Sequence, residues 1–343
     1  MKSGLTRFDV NPSVRVPFTR WPFLTFNSAV NFRHTRWTES LDPMTFEQID
    51  DPISRSFLDL STEMTGPVFV KVWDTPDSTY SERMKHVIEP YVTLRRLSSI
   101  DQFDEIVRLE SVDSIVGGVR EFTYGLNNRV YARLAGSGSA REVLNVGLTQ
   151  TYYTNDQAAQ YDQRFSTSFN ETSPSNFSPL ALMVRGDPSD RLSGTLRTEY
   201  DTRFGAIRTI SADGTYDFNG LVQTTAGWSQ RRFIEGLQGF DTPGQLDHYL
   251  NAVTRVQNRD NTVGGGYQFH YDLFRDRLLQ LRVLVYYNAQ CCGVSVEYQT
   301  FDFSGLGSRA FIHQDRRFNL SFTLAGLGTF ANVFGAFGAG GNM

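Results

Sequence analysis

The chain has 343 residues, with 33 Lys and Arg against 37 Asp and Glu and a formal charge of −4; that balance gives no support to a nucleic-acid partner, which needs a basic surface. Aromatic residues make up 13%, including 27 Phe and 15 Tyr, yet the mean hydropathy is −0.34. Large apolar rings in a chain that is polar on average suit strands whose two faces meet different solvents. No run approaches the ~18 apolar residues of a membrane-crossing helix, so a helical membrane protein is excluded.

The start, MKSGLTRFDVNPSVRVPF, lacks an apolar stretch and a small-residue cleavage site, so no secretory leader is read there. An exported chain beginning this way is expected to have lost its front end. Period-two alternation then recurs throughout. Strands are expected near residues 5–16, 22–36, 54–72, 84–96, 127–134, 143–153, 179–186 and 191–202, and again near 207–217, 220–231, 248–257, 262–271, 277–288, 293–303 and 315–327.

Three segments show the pattern best. LLQLRVLVY sets Leu279, Leu281, Val283 and Val285 against Gln280 and Arg282, with Leu278 and Leu284 out of phase. VSVEY sets Val294, Val296 and Tyr298 against Ser295 and Glu297, and RRFNLSFTL sets Phe318, Leu320, Phe322 and Leu324 against Asn319, Ser321 and Thr323. A soluble sandwich also alternates, but the connections separate the two classes. FNG, NRDN, AGSGS and NAQ are tight, whereas 37–53, 97–126, 154–178 and 232–247 are long. Short turns at one end and long loops at the other are the habit of an antiparallel transmembrane β-barrel. Fifteen strands is an odd count for a bacterial barrel, so an incomplete wall is expected. The end, FGAFGAGGNM, reads as a frayed tail.

Chemistry-bearing motifs are sparse. His34, His86, His248, His270 and His313 are scattered without metal-ligand spacing, and no nucleophile elbow occurs, so neither a metal, a cofactor nor an enzyme activity is expected. The Gly264–Gly266 triplet reads as sheet curvature. Trp21, Trp37, Trp73, Tyr152, Tyr153, Tyr286 and Tyr287 fall near strand ends, where they suit a membrane interface or a core beside the turns.

The two cysteines, Cys291 and Cys292, are adjacent. Neighbouring Cα atoms lie about 3.8 Å apart, short of the ~4.4–6.8 Å of a relaxed disulfide. The pair is therefore either two ordinary thiols or two separate attachment points for partners outside the chain. If the last strand ends in the periplasm, their turn is periplasmic, where disulfides persist.

HVIEPYVTLRRL from His86, SVDSIVGGVREFTYGLNNRVYARL, YYNAQCCGVSVEY and RRFNLSFTLAGLG together resemble the C-terminal region of the LptD family, the lipopolysaccharide-assembly proteins of Gram-negative outer membranes. The resemblance runs from about residue 5 to residue 328. It implies that residues 1–328 are the C-terminal portion of a barrel of roughly 26 strands, followed by a Gly-rich tail at 329–343. Such a protein receives lipopolysaccharide from a periplasmic Lpt bridge and inserts it into the outer leaflet through a seam between first and last strands.

Carried over, Cys291 and Cys292 are each bonded to a cysteine of a missing N-terminal periplasmic domain. The last strand, with Phe318, Asn319, Leu320, Ser321, Phe322, Thr323 and Leu324, forms one side of the seam. Implied partners are lipopolysaccharide, an LptE-like plug lipoprotein, the periplasmic bridge, the barrel-assembly machinery and outer-membrane lipids. A passive porin or substrate-specific channel is the alternative, and it has no need of paired cysteines.

Overall fold

The computed structural model of the chain describes residues 4–136, 138–165, 174–302, 314–324 and 328–330. His313 and most of the Gly-rich tail, residues 331–343, lie outside the described residues. The chain divides into two compact units, Met1–Val184 with Thr198–Arg208 and Phe233–Pro243, and Arg185–Arg197 with Thr209–Arg232 and Gly244–Met343. Among the described residues no helix is long and apolar enough to cross a membrane, and every registered strand pairing is antiparallel.

The first unit contains β1 (Arg7–Val10), β2 (Ser13–Trp21), β3 (Leu24–Trp37), the short hairpin β4 (Ser40–Leu41) and β5 (Gln48–Ile49), β6 (Ile53–Thr65), β7 (Phe69–Asp74), β8 (Ser81–Leu97), β9 (Arg120–Leu134) and β10 (Ala140–Tyr153). Strands β11 (Leu180–Ser189), β12 (Leu192–Asp201) and β13 (Ala206–Phe218) contribute residues to both units. The second unit adds β14 (Val222–Arg231), β15 (His248–Gln257), β16 (Val263–Asp272), β17 (Arg277–Asn288), β18 (Cys292–Asp302), β19 (Gln314–Leu324) and β20 (Gly328–Phe330).

Two of the expected strands are interrupted rather than misplaced. The 5–16 segment becomes β1 and β2, both paired to β3, with Pro12 at the break and its carbonyl accepting from Phe32 N. The 54–72 segment becomes β6 and β7, both paired to β8, with Gly66 and Pro67 between them. Proline has no N–H to give to a ladder, so pairing stops beside it and resumes beyond. At Gly66 φ is +121°, and a Cβ there would lie 2.2 Å from the Phe23 carbonyl oxygen, so only glycine fits.

A bulge explains the phase error in β17. His270 pairs with Gln280 but Tyr271 pairs with Leu278, so Leu279 is skipped and turned inward, where it is buried. Leu278, not Leu279, therefore continues the face of Leu281, Val283 and Val285. Leu284 does sit on the opposite face, across from Gly266.

The two faces of the first unit differ sharply. Val30, Phe32, Leu58, Leu60, Leu94 and Phe122 project from one face and stay exposed. A contiguous apolar face of this size is the mark of a surface that meets lipid. The other face is charged and internally paired: Arg33 grips both oxygens of Asp9, Arg95 bonds Asp59 at 2.9 Å through two nitrogens, and Thr123 meets Thr151 at 2.8 Å.

The long connections fold back onto this polar face and carry the buried core. Val116 and Val119 from the 98–119 loop, and Ala158, Ala159 and Phe165 from the next, pack on Phe57, Leu97 and Tyr153. Ile106 joins Trp37 and Ile53 in a second cluster. Ile234, Leu237 and Phe240 from the 233–243 segment form a third. Trp37 and Tyr153, two of the strand-end aromatics, thus belong to this core, while Trp21, Tyr152 and Tyr287 remain exposed.

One buried carboxylate anchors the 98–119 loop. Asp113 accepts from the backbone N–H groups of Leu109 and Glu110 at 3.1 and 3.0 Å and meets Arg7 at 3.3 Å and Arg55 at 3.8 Å. Arg55 also donates to the Asp113 and Val112 carbonyls and stacks on Trp37 and Phe57. Removing one partner of a buried pair costs about 3–5 kcal/mol because the other charge is left uncompensated. Asp113→Ala is therefore expected to free the loop, read as faster tryptic cleavage after the exposed Arg108 with unchanged far-UV circular dichroism.

Candidate functional site

The cysteines close the hairpin between β17 and β18. Tyr287 pairs with Val294 and Asn288 with Gly293, and Ala289 N donates to the Cys292 carbonyl at 2.7 Å. A Cβ at Gly293 would stand 2.7 Å from Asn288 Oδ1, so a larger residue there would push the Asn288 side chain aside. Both thiols are exposed and free, with the Cys291 Sγ 3.3 Å from the Cys292 Sγ. That separation is a contact, far from the ~2.05 Å of a disulfide bond.

Strand β19 runs beside this hairpin in full register with β18. Phe318 lies opposite Tyr298, Leu320 opposite Val296, Phe322 opposite Val294 and Leu324 opposite Cys292. Cys292 is therefore level with the apolar row of β19, one step from the turn. Phe318 is 62% exposed, and Phe322 and Leu324 are also exposed. The alternate positions meet polar or small partners: Asn319 faces Glu297, Ser321 faces Ser295 and Thr323 faces Gly293. Glu297 in turn pairs with Arg282 at 2.7 Å. On its other edge β19 pairs with β20 from Phe322 to Leu324, so the start of the tail forms a short returning strand.

Sequence reasoning did not find a cavity in the first unit. About 580 Å³ in volume, it is lined among others by Glu63, Tyr91, Arg95, Glu121, Asp162 and Arg164. Arg95 joins Glu121 at 3.3 Å as well as Asp59. Arg164 binds Asp162 at 2.6 Å, and the Tyr153 hydroxyl donates to the same carboxylate. Burial pushes the Asp162 carboxyl toward protonation, but the bonded Arg164 guanidinium outweighs it and holds this group below the usual carboxylate range. Its residues come from β6, β8, β9 and two loops, so no sequence window contains the cluster.

The histidines stay apart. His34 bonds Ser56 at 2.8 Å, and His248 accepts from the Trp228 indole at 2.8 Å. No group of three His, Cys, Asp or Glu side chains gathers in a metal-holding arrangement among the described residues.

Antiparallel ladders, tight turns alternating with long loops, an exposed apolar face and a charged opposite face define an outer-membrane protein of the transmembrane β-barrel class. The sequence model of one family, LptD, described as LPS transport system D, matches residues 2–226, about two thirds of the chain. The chain belongs to the LptD family. No curated protein matches it significantly in sequence. Among solved structures it is similar to the siderophore receptor PirA from Acinetobacter baumannii, with 9% identity and a TM-score of 0.44, over 96% of this chain and 58% of that one. It is also similar to the copper transporter OprC, with 10% identity and a TM-score of 0.35, over 92% of this chain and 57% of that one. The chain thus spans less than three fifths of the length of either.

Because both thiols are exposed and free, intact-mass analysis after maleimide treatment of the folded, reduced chain is expected to show two adducts. One adduct or none would contradict the exposed turn.

Proposed function

We propose that this chain contributes to the wall of an outer-membrane translocon that receives lipopolysaccharide from the periplasm and inserts it into the outer leaflet. Family membership supports the substrate class. The observation that carries the reading is the exposed pair of free thiols on one turn, because a passive channel has no use for them.

In this reading Cys291 and Cys292 each bond a cysteine of a periplasmic domain outside this chain, holding two points of that domain at the β17–β18 turn. The oxidising periplasm keeps such bonds intact. Strand β19 lines the lateral opening. Phe318, Leu320, Phe322 and Leu324 meet acyl chains, while Asn319, Ser321 and Thr323 meet sugar hydroxyls or an LptE-like plug lipoprotein. The periplasmic Lpt bridge delivers the lipid, and the barrel-assembly machinery reads the same terminal strand.

In Gram-negative cells carrying the full-length protein, Cys291→Ser with Cys292→Ser is expected to abolish the disulfide-linked species on non-reducing gels and to lower surface lipopolysaccharide. If neither changes, the passive-channel alternative gains the ground. Tying β19 across the proposed lateral opening with an engineered disulfide is expected to stop surface delivery while leaving barrel assembly intact; continued delivery would count against a lateral opening there.

A further inference from the structure

Period two assigns neighbouring residues of β8 and β9 to opposite faces. Arg95 and Glu121 bond each other on the polar face, so Arg96 and Arg120 lie on the apolar one. There the register sets Arg96 directly opposite Arg120 and Leu94 directly opposite Phe122. Directly opposed side chains start about 4.5–5.5 Å apart at Cβ, and like charges in that relation repel. Among the described residues neither guanidinium has an acidic partner, and both are exposed.

The two arginines stand between adjoining hollows. One, of about 590 Å³, is bordered by Val30, Leu60, Leu94, Phe122 and Tyr152. The other, of about 380 Å³, is bordered by Leu58, Ser98, Ser99 and Gly118. Arg96, Arg120 and Leu60 border both. A polar recess with two unneutralised guanidiniums therefore joins an apolar recess on the face that meets lipid.

We propose that this pair of recesses binds a phosphate-bearing acyl lipid of the surrounding bilayer. The guanidinium forks of Arg96 and Arg120 take the phosphate oxygens, with Ser99 beside them, and the acyl chain lies over Leu94, Phe122 and Tyr152. Charge complementarity selects this occupant: guanidinium matches phosphate geometry bidentately, and an anion removes the repulsion between the opposed arginines. The proposal requires the membrane-facing sheet but not the export reading, since any outer-membrane protein could hold such a lipid.

The test uses the full chain in a zwitterionic detergent, titrated by calorimetry with didecanoyl phosphatidic acid, didecanoylglycerol and inorganic phosphate. Phosphatidic acid is expected to bind saturably, at least about tenfold more tightly than either other probe. Arg96→Gln with Arg120→Gln is expected to lose that preference, whereas Arg36→Gln, an exposed arginine on β3, keeps it. Heat-modifiable gel mobility reports whether each variant folds. If the double glutamine variant does not fold, Arg96→Lys with Arg120→Lys is expected to weaken phosphatidic acid several-fold by removing the forks. Equal binding of didecanoylglycerol, equal binding of inorganic phosphate, non-saturable uptake or an unaffected folded variant would each overturn the proposal, and the wild-type ranking of the three probes decides it even without variants.

Discussion

A strand that crosses hydrocarbon must pair its backbone N–H and C=O groups within the protein, because lipid offers them no partner. Everything else in this chain is arranged around that demand. Long antiparallel neighbours satisfy it along their lengths, and the two-residue period then delivers one side-chain set to lipid and the other to the opposite face. Proline stands where the ladder pauses at Pro12 and Pro67, and within strands at Pro17, opposite Asn27, and Pro90, opposite Leu126.

A sheet that keeps its apolar residues on the outside has little left with which to build a core. The loops supply it instead. Segments 98–119 and 154–165 lay small, aliphatic and aromatic side chains over Phe57, Leu97 and Tyr153, and charged strand residues reach up to hold them. Asp113 with Arg7 and Arg55 is one of these buried anchors. A second, formed by Arg208 with Asp201 at 2.8 Å, lies under Phe240 of the 233–243 segment. Ion pairs of this kind gain little net stability over an apolar core, but they are costly to break singly. They hold the loops in one arrangement rather than many.

The features most open to partners lie where the ladder demand relaxes. The cysteine turn is a hairpin end, with both thiols exposed, Cys291 in the turn and Cys292 at the first position of β18. The Arg96 and Arg120 pair sits where β8 and β9 give way to the 98–119 loop, at the limit of the apolar face. Strand β19 combines an apolar row beside Cys292 with a polar row running to Glu297 and Arg282. Thiols, anion-seeking guanidiniums and a two-faced strand are thus each placed by the same period-two geometry.

Alternation of Phe318, Leu320, Phe322 and Leu324 with Asn319, Ser321 and Thr323 is a local property, and so the strand, its two faces and the barrel class are legible from residue order alone. The same holds for the tight turns; Asn219 and Gly220 both take positive φ, as an Asn-Gly hairpin requires. The bulge at Leu279 was visible only as a phase error, since which leucine is skipped depends on the partner strand. The anchors and the cavity were not legible at all. Arg7 and Asp113 are 106 residues apart, and Arg96 meets Arg120 only through register across a long loop. Sequence by itself determined which residues alternate, where the chain turns and which family it belongs to, because those signals lie within a few neighbouring positions. Tertiary structure alone decided which charges pair, which loops are buried and which arginines stand unneutralised, because those facts depend on strand register and loop docking, and both are settled only when distant segments compete for the same face.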